Sequence, residues 1–349
     1  MLVRWLTRLG FALGAVVVIL LVAAFAVYAA SERRIHRQYA ITPRPIVLPT
    51  DSASIARGGH IARSFGMCVE CHGEKLDGQV MFEGPLGMVS ARNLTRGTGG
   101  IGTLLTDVDM VRAIRHGVAP DGRPLMIMPA QDYTNLSDAD LAAVIAYVKS
   151  VPPSDNIVPE STIEPLGRAL FVAGQLPLFP AERMNHAAAA PASASPGGSK
   201  EYGGYIARVA CRGCHGPGLA GGPVEAGDPN WAPASNLTVA GPTKTWNEAD
   251  FVRLMRTGRR PDSVPVSGAM PWKSTARMTD EELHAVWSYL RSLPSRATSG
   301  ATQSASVIAT LGAASRGRVA MAHLTWLIAQ VQKMVSSGDI DPELMRESE

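Results

Sequence analysis

Cys68-Val69-Glu70-Cys71-His72-Gly73 and Cys211-Arg212-Gly213-Cys214-His215-Gly216 stand 143 residues apart in a chain of 349 residues and use all four of its cysteines. Each is a Cys-x-x-Cys-His signature for covalent attachment of c-type haem. Two thiols one helical turn apart can each form a thioether with a different vinyl group at the porphyrin edge, while the next residue brings its imidazole under the iron. A structural zinc site would want a second cysteine pair close by in sequence, and a thioredoxin-like redox pair would want a βαβ setting. The sequence offers neither.

Outward from these hexapeptides the chain repeats itself. Gly58-Gly59-His60-Ile61-Ala62-Arg63 recurs as Gly203-Gly204-Tyr205-Ile206-Ala207-Arg208, and Asn93-Leu94-Thr95 as Asn236-Leu237-Thr238. Pro120-Asp121 matches Pro261-Asp262, Met128-Pro129 matches Met270-Pro271, and Leu141 to Pro152 matches Leu283 to Pro294. The spacing drifts by single residues, as loop insertions would cause. The repeat predicts two haem domains, residues 52–154 and 200–295.

Each unit reads as helices joined by Gly- and Pro-rich loops. Apolar residues at helical spacing precede each cysteine pair, and Asp109 to His116 and Asp250 to Thr257 form short amphipathic candidates. Ser137-Asp138-Ala139-Asp140 and Thr279-Asp280-Glu281-Glu282 read as N-caps with acidic first turns, each opening a helix that a proline ends. Such loops build little core alone, so the macrocycle is expected to fill the centre. The predicted fold class is all-α.

The iron needs a sixth ligand, and its identity separates electron transfer from small-molecule chemistry. Met128 lies 56 residues after His72 and Met270 lies 55 after His215, each immediately before proline. Proline's fixed φ and missing N–H hold such a loop extended. Met126 is a local rival to Met128, whereas the second copy has no such rival. His36, His60, His116, His186, His284 and His323 lack a matching histidine in the other copy and read as surface or linker residues. A carbonyl near Pro85, or between residues 223 and 229, is the expected acceptor for the Nδ1–H of His72 or His215. Asn93 and Asn236 read either as propionate ligands or as turn residues.

The N-terminus reads as a membrane signal. After Arg4 and Arg8, residues 10–30 form an uncharged run rich in Val, Leu, Ala and Phe, long enough to span a bilayer. A cleaved signal peptide is the competing reading, since Val27-Tyr28-Ala29 suits a peptidase, but its apolar region is typically shorter. Arg33, Arg34 and Arg37 follow the run, so basic residues flank it on both sides. The Ala-, Pro-, Ser- and Gly-rich stretch 187–199 reads as a linker. Residues 159–186 are too apolar for one and are expected to pack on the first domain or the domain interface. In the C-terminal extension, residues 319–334 carry a helical apolar period. A net charge of +3 gives no support to nucleic-acid binding, so the expected partners are proteins.

The order Cys-x-x-Cys-His, Asn-Leu-Thr, Gly99-Gly100-Ile101-Gly102, Pro120-Asp121-Gly122-Arg123, Met128-Pro129, Leu136-Ser137-Asp138 and Tyr147 to Pro153 resembles class I cytochrome c domains. It looks closest to those of the membrane-bound cytochrome subunits of bacterial alcohol and gluconate dehydrogenases. The resemblance implies four thioether sites (Cys68, Cys71, Cys211, Cys214), His72 and His215 as proximal ligands, and Met128 and Met270 as distal ligands. It also implies haem domains on the periplasmic side of the inner membrane, with residues 1–9 cytoplasmic. The function expected is transfer of single electrons from a dehydrogenase or quinol-oxidising complex to an acceptor such as a terminal oxidase or a soluble cytochrome. An oxidoreductase acting on a small substrate at one haem is the alternative, and it would need an open or missing sixth ligand. A redox sensor would need an output domain, which the sequence lacks.

Overall fold

The computed structural model describes residues 2–224 and 231–298. The predicted helix at 319–334 lies outside them, as do residues 225–229 of the carbonyl search. The chain opens with α1 (Leu2–Ile35), whose residues 3–25 are almost wholly exposed and apolar. It is long and apolar enough to cross a membrane, a test that a signal sequence also passes.

The first repeat comprises α2 (Ser52–Arg63), α3 (Cys68–His72), β1 (Gln79–Gly84), β2 (Gly87–Ala91), α4 (Asp107–His116), α5 (Ala130–Tyr133) and α6 (Asp138–Ser150). After β3 (Thr162–Ile163) and α7 (Pro165–Val172), the second repeat runs through α8 (Lys200–Ala210), α9 (Arg212–His215), α10 (Glu248–Thr257), α11 (Trp272–Thr275) and α12 (Asp280–Ser292). Helices α4 and α10 begin two residues earlier than the apolar period suggests. The true starts are set by capping boxes, Thr106 with Asp109 and Asn247 with Asp250, in which side chain and backbone satisfy each other's orphan groups. Ser137 and Thr279 cap α6 and α12 as expected.

In each repeat the first and last helices cross, α2 on α6 and α8 on α12. Gly58 and Gly203 make this possible: a β-carbon there would lie 1.9 Å from the carbonyl oxygen of Ala143 or Ala285 respectively. Only glycine lets the backbones approach so closely. One continuous core joins the repeats, with Ile61, Phe65, Leu141 and Ile145 from the first and Tyr205, Ile206, Leu283 and Val286 from the second.

The all-α expectation needs correction. A three-stranded antiparallel sheet in the order β1-β2-β3 decorates the first repeat. Val80-Met81-Phe82 has strand-forming residues, and Gly84-Pro85-Leu86-Gly87 supplies the turn chemistry of a hairpin. The third strand and α7 belong to residues 159–186, which do pack on the first repeat: β3 pairs with β2, and α7 lies against α1. Residues 189–196 carry no regular helix or strand.

Candidate functional site

Helices α3 and α9 are single turns that carry the Cys-His ends of the two hexapeptides. Both stop at a glycine with φ 78° and ψ 164°, Gly73 and Gly216, a left-handed conformation that side-chain-bearing residues rarely adopt. The chain then curls back identically in both copies, with the N–H of Gly78 donating to the carbonyl of His72 at 2.8 Å and that of Gly221 to His215 at 2.9 Å. Each imidazole is thereby held in a rigid turn.

The Nδ1 of His72 meets the carbonyl of Arg92 at 2.8 Å, and that of His215 meets the carbonyl of Ser235 at 2.8 Å. A carbonyl only accepts, so Nδ1 carries the proton and Nε2 keeps the lone pair that a metal takes. Burial lowers both histidines below the usual imidazole range, against the opposing pull of these bonds, which keeps the rings neutral. The carbonyls are not those expected near Pro85 or within 223–229, because Pro85 is spent turning the β1–β2 hairpin. They stand immediately before Asn93 and Asn236. The side chain of Asn93 is fully buried, donates to the carbonyls of Ser154 and Asn156, and accepts from the N–H of Thr95. Asn236 donates to the carbonyl of Arg296 and accepts from the N–H of Thr238. Their amides are thus spent on the backbone, and the turn reading holds over the propionate one. The sequence signal was present: histidine and asparagine stand 21 residues apart in both copies.

All four cysteines are unpaired. Burial pushes the thiols of Cys68 and Cys211 up to about 12 and raises those of Cys71 and Cys214, so they are protonated thiols, not ready thiolate ligands. Among the described residues no three His, Cys, Asp or Glu side chains converge to hold a bare metal ion. Thiols poised for thioether chemistry beside an imidazole with a free Nε2 fit a covalently held haem.

Met128 and Met270 are partly buried and pack on the main core, as do Cys68 and Cys211. Met126 packs elsewhere, on the small cluster of Phe171, Leu178 and Phe179. Pro129 and Pro271 cap α5 and α11 with matching dihedrals, φ −77° ψ 56° and φ −78° ψ 57°. Tyr133 at the end of α5 donates to the carbonyl of Gly66 at 2.8 Å, which ties the methionine side of the first repeat to its attachment turn.

The two attachment turns also face the partner repeat. Ser274 of α11 donates to Glu70 between the first pair of cysteines, and Arg277 pairs with Glu74 at 2.5 Å. Asp132 of α5 stands so close to Gly213, between the second pair, that a β-carbon there would lie 2.5 Å from its Oδ2. Burial pushes the Asp132 carboxyl up to about 7, with Arg212 opposing. His60 is an interface residue, not a surface one: its Nε2 reaches Glu282 at 2.8 Å. Nor is His116 exposed; it is buried with its Nδ1 3.3 Å from that of His186. A cavity of about 290 Å³ between the repeats is lined by Arg57, His60, Tyr202 and Glu282 and by none of the eight predicted site residues.

The profile of the family described as cytochrome c oxidase, cbb3-type, subunit III matches residues 53–148 and again 199–290. The chain belongs to this family of c-type cytochromes. It is 31% identical over 283 residues to the cytochrome c subunit of the alcohol dehydrogenase (quinone) of Gluconacetobacter polyoxogenes, covering 70% of this chain and 57% of that one. It is 26% identical to the fructose dehydrogenase cytochrome subunit of Gluconobacter japonicus, over 71% of this chain and 54% of that one. It is also 26% identical to a diheme cytochrome c-type protein of Cereibacter sphaeroides, over 54% of this chain and 66% of that one. The chain spans a little over half the length of the two dehydrogenase subunits. The dihaem reading of the sequence stands: two tandem cytochrome c units, each with its own covalent attachment site.

Proposed function

We propose that this dihaem cytochrome is a membrane-anchored relay that passes single electrons through two closed haem sites. In this reading His72 and Met128 are the axial ligands in a domain spanning 52–154, and His215 and Met270 those in a domain spanning 200–295. Bound haem supplies reversible one-electron chemistry, and His/Met ligation raises its potential while leaving no open coordination position. The carrying observation is the duplication of the whole donor set, with the same neutral imidazole, the same proline-held methionine and the same paired thiols in both copies. The contacts that press each attachment turn on the other repeat support electron exchange between the haems.

Helix α1 serves as the anchor, with residues 1–9 cytoplasmic and the haem domains in the periplasm of a bacterial inner membrane. Relatives that are cytochrome subunits of alcohol, fructose and gluconate dehydrogenases make a dehydrogenase the favoured donor. A terminal oxidase or soluble cytochrome is the acceptor. Affinity purification of the full chain from detergent-extracted membranes tests this. A dehydrogenase chain is expected to co-purify, and its substrate should reduce both haems. A chain that purifies alone and turns over a small substrate at one haem would instead establish the enzyme reading.

A further inference from the structure

The first repeat's methionine loop has a support for which the described residues offer no counterpart in the second. The N–H of Ile127, between Met126 and Met128, donates to the carbonyl of Leu178 at 2.8 Å. Ile127 sits at φ 60°, a left-handed conformation that a branched side chain adopts only when its surroundings hold it. Leu178 and its neighbour Phe179 are buried with Phe171 in a cluster that takes in Met126 on one side and Ile35, at the end of α1, on the other. The rings of Phe171 and Phe179 meet edge to face at 5.3 Å.

This cluster is fastened to the last turns of α1. Arg34 donates to both carboxylate oxygens of Glu182, at 3.0 and 2.5 Å, and to the carbonyl of Phe171 at 2.8 Å, and its guanidinium lies 3.8 Å over the Phe171 ring. Such a two-pronged arginine–carboxylate pair fixes direction as well as distance. One turn earlier, Ser31 and Glu32 bind Arg168 of α7. In the second repeat the loop Ser267-Gly268-Ala269 stands in the corresponding place, and a β-carbon on Gly268 would meet nothing within 4 Å.

We propose that the end of the membrane helix braces the distal ligand loop of the first haem: Arg34 holds Glu182 and Phe171, these hold Leu178–Phe179, and the Leu178 carbonyl fixes the turn at Ile127 that presents Met128. The proposal rests on Met128 being an axial ligand. Arg34, Glu182 and Phe179 are then positioning residues, acting on the iron only through the methionine loop. The first haem's ligation is coupled to the anchor in this way.

The test uses full-length Met270→His protein, in which sulfur-to-iron charge-transfer absorption can arise only from the first haem. Arg34→Ala, Glu182→Gln and Phe179→Ala are introduced separately, with the exposed Arg33→Ala as control, and covalent haem staining for two haems verifies folding of each. Losing a charge-assisted bond in the brace is expected to speed cyanide binding at the first haem roughly tenfold and to weaken its absorption. Arg34→Lys, which keeps charge but not the fork, should fall between. Unchanged cyanide kinetics in all three variants, or an equal effect of Arg33→Ala, would overturn the brace. Absence of the absorption from the Met270→His parent would overturn the Met128 assignment itself, and the brace with it.

Discussion

Tyr205 of the second repeat donates its hydroxyl hydrogen to the buried carboxylate of Asp140 in the first, at 2.6 Å. Arg57 grips the same carboxylate from within the first repeat. A near twofold relation generates the counterpart: Glu282, matching Asp140, accepts from Tyr202 of its own repeat and from His60 across the interface. Buried carboxylates with a partner on each side fix how the two repeats meet. Tyr205→Phe is expected to lower stability by about 1–3 kcal/mol, since it leaves a buried acceptor short of a donor. Thermal unfolding of the haem-loaded chain measures this, and an unchanged midpoint would show that the bond carries no weight.

The helix crossings tolerate even less. Gly58→Ala or Gly203→Ala would drive a methyl group into a backbone carbonyl, so the crossing must open at a cost of about 1–3 kcal/mol or more. Lower haem-loaded yield and a lower unfolding temperature are the expected readouts. The same change at Gly10, where a β-carbon would meet nothing within 4 Å, should be neutral.

Acid should weaken the first repeat through His116. Burial, reinforced by His186, Arg115 and Arg112, pushes this imidazole down to about 4. The unfolded chain takes up a proton near the ordinary value of 6.5, and the folded chain does so only near 4, so stability is lost as pH falls between those values. His116→Asn, neutral throughout, should flatten that part of the stability profile measured by denaturant titration. An unaltered slope would place the titration elsewhere.

The two haem attachment motifs were legible because their chemistry is local: the cysteine spacing and the adjoining histidine lie within a few residues. The carbonyls of Arg92 and Ser235 were harder, since a backbone group leaves no letter in the sequence, yet the constant interval from histidine to asparagine marks where they stand. The hairpin Gln79–Ala91 was read as loop because its Gly84-Pro85-Leu86-Gly87 turn shares the composition of the Gly- and Pro-rich connections around it, and Met126 stood as a rival to Met128 because its packing on residues 171–179 leaves no mark in the sequence. His60 was misread for a more general reason. Its match in the other copy is Tyr205, and histidine and tyrosine perform one task there, each reaching the carboxylate of the opposite repeat.

The sulfur-to-iron charge-transfer absorption of the oxidised full-length protein tests the relay most directly. Two equivalents per chain are expected, with Met128→His and Met270→His each removing about half and lowering that site's potential, because imidazole favours ferric iron more than a thioether does. Rapid cyanide or carbon monoxide binding at one haem of the unmodified protein would contradict the closed-site relay and make that haem a site of small-molecule chemistry.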